Sequence, residues 1–140
     1  MNQGYSAYKT ANVDTADKGK LIIICYDVAI KHGNIAIDTQ EPREDLENWV
    51  KHVYKMQDAI SELLSALNMD VGEISQNLYR LYEYMLHRLT EAVVNVELEA
   101  ISEVVKMMTD LRSAWKVAIQ TVKVGKTATP KPAQSFAFNG

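Results

Sequence analysis

The stretch "GYSAYKTANVDTADKGKLIIICYDVAI", Gly4 to Ile30, sets two tyrosines and a polar run directly ahead of five apolar residues, Leu21 to Cys25. Asp14, Thr15 and Asp17 have short side-chain oxygens that cap a helix start, so the pattern predicts a helix from near Asp14 or Asp17. It fades near Asp38 or Thr39, ahead of Pro42. At about 100° per residue, Leu21, Ile24, Cys25, Val28 and Ile35 fall within about 60° of Leu21 and form the expected core face. Ile23, Tyr26, Ile30 and Ile37 lie about 140–200° away, nearly opposite. Ile22 and Ala29 fill the arc between, leaving Lys20, Asp27, Lys31, Asn34 and Asp38 as a narrow wet strip. Exposing three large apolar side chains would forgo roughly 1.5–3 kcal/mol each, so the second face calls for a cover.

Periodicity leaves three covers open. The helix is central in a flattened bundle, with partners on two sides; or the N-terminal segment folds over it permanently through Tyr5, Tyr8 and Val13; or the cover is reversible. Tyrosine suits a reversible cover, because its ring is apolar and its tip tolerates both buried and wet states.

The rest of the chain reads as helix. Glycine and proline gather at the edges of the periodic runs: Pro42, Gly72, then Gly125, Pro130 and Pro132. A second helix is predicted from Glu41 or Pro42 to about Leu67, since proline suits a first turn and Glu44, Asp45 and Glu47 favour the positive end of the dipole. Trp49, Val53, Met56, Ile60, Leu63, Leu64 and Leu67 share its apolar sector. Short joints at Asn68–Glu73 and Val94–Glu97 frame a third helix, with Ile74, Leu78, Leu81, Tyr82, Met85 and Leu89 inward. A fourth runs to near Val122, with Ile101, Val104, Val105, Met108, Leu111, Trp115, Ile119 and Val122 on one side. Connections this short make neighbours antiparallel, so the expected fold is all-α: an up-down-up-down four-helix bundle with the N-terminal segment packed outside. The bundle domain spans residues 1–122, with 1–16 as its N-terminal segment. Residues 123–140, rich in small residues, prolines and lysines, are expected to be a disordered tail.

Composition narrows the function. At 140 residues the chain is one domain that buries roughly 68–70% of its unfolded surface on folding. No window approaches the roughly 20 apolar residues of a membrane span, and the N-terminus has no signal-peptide pattern, so a cytosolic protein with no membrane insertion is expected. Cys25 is the single cysteine, which rules out an internal disulfide and a cysteine cage for metal, and reads as a small core residue. The 15 bases include Lys123, Lys126 and Lys131, so the bundle carries the other 12 against 18 acids. A nucleic-acid binder would concentrate positive charge instead.

No catalytic, cofactor or metal site is expected, and the reading is of a protein that is not an enzyme. A carboxylate-bridged di-metal bundle needs Glu-x-x-His, but the residues three before His32, His52 and His87 are Ala29, Trp49 and Tyr84. The stretch "HVYK", His52 to Lys55, superficially fits a phosphotransfer histidine beside a basic residue; a boundary position on the second helix is the plainer account. His32 falls on the core side near a helix end, and His87 on a wet face. No glycine-rich phosphate loop is present.

Three separated motifs resemble the flagellin-specific export chaperones, the FliS family. The first comprises Tyr8, Val13, Thr15, Ala16, Leu21, Ile22, Tyr26, Asp27, Ala29 and Ile30. The second lies in "GEISQNLYRLYEYMLHRL", Gly72 to Leu89, and the third is "LRSAW", Leu111 to Trp115. Gly4 stands where that family has proline, and Asp17-Lys18 where it has Ser-Pro. The resemblance implies a cytoplasmic chaperone that binds the disordered C-terminal segment of flagellin, blocks premature polymerisation and delivers it to the flagellar type III export gate. It also implies that Tyr5 and Tyr8 form a displaceable lid over Ile22, Ile23, Tyr26 and Ile30, the client-binding surface.

Overall fold

The computed structural model describes residues 15–124, with the side chains of 18–70 and 72–120. Four helices make up nearly all of it: α1 (Thr15–Asp38), α2 (Leu46–Ser65), α3 (Glu73–Asn95) and α4 (Leu98–Val124). Each packs on its two sequence neighbours, and α4 closes the ring against α1, giving an antiparallel up-down-up-down bundle.

The joints follow from local chemistry. After α1, Thr39 donates through Oγ1 to the Ile35 carbonyl at 2.9 Å and through its backbone N–H to that of Ala36 at 3.3 Å, satisfying carbonyls orphaned by the helix end. Pro42 then opens a 3₁₀ turn, Pro42–Asp45, in place of the first α-turn predicted there; the Glu44 N–H closes it on Glu41. A second 3₁₀ turn, Met69–Val71, is capped by Asn68 Oδ1, which accepts from the Asp70 N–H at 3.2 Å. Gly72 has φ 106°, and a Cβ there would meet nothing within 4 Å, so glycine is needed for its backbone and not for space. The α3–α4 joint is only Val96 and Glu97. Val96 takes the left-handed conformation at φ 51°, and the Glu97 N–H reaches back to the Ala92 carbonyl at 3.1 Å. Helix α4 continues to Val124, two residues beyond the expected end; residues 125–140, assigned to a tail, lie outside the described residues.

The core runs the length of the bundle through Trp49, Val53, Met56, Ile60 and Leu63 of α2, Leu78, Tyr82, Met85 and Leu89 of α3, and Ile101, Val104, Met108 and Trp115 of α4. Two residues assigned inward on α3 are not in it: Ile74 is exposed and Leu81 half-buried.

Helix α1 overturns the expected division into two faces. Ile24 and Ile35, placed on the core face by periodicity, are 39% and 37% exposed. The buried arc runs instead from Leu21 and Cys25 through Ala36, Ala29 and Gly33 to Tyr26, centred on the small residues between the two supposed faces. Small side chains let two neighbours approach together. A Cβ on Gly33 would lie 2.4 Å from Val105 Cγ2 of α4 and 2.8 Å from Met56 Cε of α2. Helix α1 is thus wedged between α2 and α4, and the first of the three covers, partners on two sides, describes the bundle.

Candidate functional site

The three sequence motifs meet in space. Tyr26 of α1 and Tyr82 of α3, both fully buried, face each other diagonally across the core with hydroxyl oxygens 2.6 Å apart. The Trp115 side chain of α4 hydrogen-bonds to the pair, and an indole N–H can only donate. Burial drives both phenols well above their usual pKa, because a phenolate there would lose its hydration. One residue on, Asp27 receives a two-pronged contact from Arg112 Nε and Nη2, at 2.5 and 3.5 Å. Tyr26 and Asp27 are adjacent, and Arg112 and Trp115 lie three apart on one face of α4. The motifs therefore form one buried polar knot with an ion pair beside it.

Of the residues assigned to client binding, Ile22, Ile23 and Ile30 are half-buried and packed against the core. Tyr26 is inside the core, since it lies on the buried arc of α1 and its hydroxyl reaches across the bundle to Tyr82. Tyr5 and Tyr8, assigned to the lid, lie outside the described residues. The α1–α4 seam is registered by Gly19 against Ile119, Asp27 against Arg112 and Gly33 against Val105. Ile23 and Ile30 border this seam on the helical period, so much of what periodicity set aside for a cover belongs to α4.

Sequence reasoning missed how two histidines relate. His32 Nδ1 and His52 Nδ1 lie 2.9 Å apart across the α1–α2 seam, with ring centroids 5.1 Å apart. His87 is exposed beside Glu91 at 3.5 Å. On the α3–α4 surface, Glu103 accepts from the Tyr84 hydroxyl at 2.6 Å and Arg88 Nε at 2.7 Å, which hold its carboxyl below the usual range. Among the described residues no cluster of three or more His, Cys, Asp or Glu is grouped to hold a metal ion, and no helix is long and apolar enough to cross a membrane.

A family model described as flagellar protein FliS matches residues 1–122. The flagellar secretion chaperone FliS of Bacillus subtilis is 34% identical over 117 residues, spanning 84% of this chain and 86% of the relative. Its namesake in Vibrio cholerae is 26% identical over 130 residues, spanning 82% and 88%. A shorter match to that of Salmonella typhimurium is 42% identical over 45 residues, 32% of this chain and 33% of the relative. With the family's pattern covering the whole bundle, the chain belongs to the FliS family.

Proposed function

We propose that this protein is a cytoplasmic flagellar export chaperone that binds the C-terminal segment of flagellin, prevents its premature polymerisation and assists its delivery to the export apparatus. The observation that carries this reading is membership of a family whose curated relatives are named flagellar secretion chaperones, over the whole helical bundle. The role needs no catalysis or cofactor: a disordered client lays short amphipathic helices along apolar seams and wraps a large surface, with its ordering entropy limiting affinity.

The half-buried Ile22, Ile23 and Ile30 of α1 supply apolar surface for such a client, and Tyr5 and Tyr8 form the lid that competes for it. Tyr26 acts from beneath, holding α1 through Tyr82 and Trp115. Calorimetric titration with the cognate flagellin C-terminal peptide tests the client: binding is expected, and its absence refutes the assignment. A chain beginning at Thr15 should bind more tightly by the free energy with which the lid closes; unchanged affinity removes the lid. Ile23→Asp should weaken binding while lowering the thermal transition less than truncation of a fully buried residue such as Leu89→Ala.

A further inference from the structure

We infer that His32 and His52 form a single-proton clasp across the α1–α2 seam, one that holds with at most one extra proton and opens with two. The inference stands apart from the client assignment. With the two Nδ1 atoms 2.9 Å apart, one must carry a hydrogen and the other a lone pair. In the neutral pair the donor ring is the Nδ1–H tautomer and the acceptor ring the Nε2–H tautomer. A first added proton goes to the donor's free Nε2, leaving Nδ1–H···Nδ1 intact and strengthening it by charge. A second has only the acceptor's Nδ1 to occupy. That sets two N–H groups of two cations face to face, and the contact breaks.

The surroundings sharpen the second step. Burial, and then the charges of His52 and Lys55 from α2 and Lys31 from its own helix, hold the His32 pKa below the usual value. Helix α4 meets this stretch of α1 at Gly33 through the apolar Val105. The lysines also disfavour a metal cation at the pair, leaving a proton as the species it shares. The rings meet edge to edge across the seam with 28° between their planes, so separating them moves groups on both helices. Next door, Gly33 packs against Met56 with no room to spare, and one turn further Trp49 Nε1 donates to the Ala36 carbonyl at 3.1 Å. Opening the clasp therefore loosens the tightest part of the α1–α2 interface.

The test is a proton NMR titration of the His32 and His52 imidazoles in the intact chain. The expected result is two separated steps for the His32–His52 pair. In the second, the amides of residues 31–36 and 49–56 should shift and exchange faster. In His52→Gln, which keeps a polar partner but cannot become a second cation, His32 should titrate in one step with no accompanying amide change. The wild-type thermal transition should also fall more steeply on acidification from about pH 7 to about pH 5 than that of His52→Gln. Two independent single-step titrations, each unchanged when the other histidine is replaced, or an identical acid response in His52→Gln, would overturn the clasp.

Discussion

Raising the pH perturbs the Tyr26–Tyr82 pair without a mutation. Both rings are fully buried and both phenols are held neutral by burial, so their folded-state pKa values lie above the ordinary value near 10. In the unfolded chain they ionise normally. Stability that depends on their neutrality is therefore fully present below about pH 10 and is lost as the pH rises beyond it, because the unfolded state releases protons the folded state keeps. One such phenol contributes a slope of about 1.4 kcal/mol per pH unit and two about 2.7. Against a total stability of roughly 5–15 kcal/mol, the bundle should unfold within a few units above that onset.

Urea unfolding at a series of alkaline pH values measures the slope, and tyrosinate absorbance in the native baseline counts the phenols that titrate before unfolding. Of the seven tyrosines, Tyr26 and Tyr82 should ionise only as the chain unfolds. Tyr26→Phe should cut the slope to about half and cost about 1–3 kcal/mol at neutral pH, since the Tyr82 hydroxyl and the Trp115 indole lose a partner inside the core. Tyr84→Phe is the control: its hydroxyl bonds Glu103 at the surface, where solvent screens the effect. An alkaline slope unchanged by Tyr26→Phe, or free ionisation of all the phenols in the folded state, would refute the buried pair.

Gly33→Ala gains up to about 1 kcal/mol in helix propensity, but its methyl meets Val105 Cγ2 at 2.4 Å, and a β-branched side chain in a helix cannot swing aside. Overpacking of about 1–3 kcal/mol should win, with a net loss in denaturant melts; made in a Val105→Ala background, the same change should cost less, with only the flexible end of Met56 left to shift. Leu89→Ala, at a fully buried position, should cost about 2–5 kcal/mol by calorimetry, far more than Leu81→Ala at its half-buried one. Because Asp27 and Arg112 are partly solvated, a double-mutant cycle on the pair should return a coupling of at most about 1 kcal/mol, fading at high salt.

Most of the helical architecture was legible in the sequence because Pro42 and Gly72 punctuate it and large apolar residues repeat on the helical period. Trp49, Val53, Met56, Ile60 and Leu63 of α2, and Leu67 just beyond its end, are buried as their spacing predicts, while Leu64 is half-buried. Helix α1 was misread for a physical reason. Periodicity weighs large apolar residues, whereas the closest approach of α2 and α4 is made by Ala29, Gly33 and Ala36, which carry little hydrophobic weight and permit the contact by being small. The joint at Val94–Glu97 was legible, but the left-handed conformation of Val96 within it was not, since a β-branched residue is an uncommon choice for φ 51°. The His32–His52 contact, twenty residues apart in sequence, depends on the α1–α2 register, which no local pattern encodes.

The motifs that identify the family are also the ones that hold the helices together. Tyr26 and Asp27 of α1, Tyr82 of α3, and Arg112 and Trp115 of α4 tie three helices at one level of the bundle. A tyrosine followed by aspartate in an apolar run invites reading as a recognition surface, with the ring for a partner and the acid for solvent. In the folded chain the ring is core, and the acid is the outer half of an interhelical lock. Ile22, Ile23 and Ile30, within about 60° of Tyr26 on the helical period, are left half covered by the fold. The locking residues and the half-covered ones thus interleave on one side of α1, with Ile23 between Tyr26 and Asp27 on the helical period.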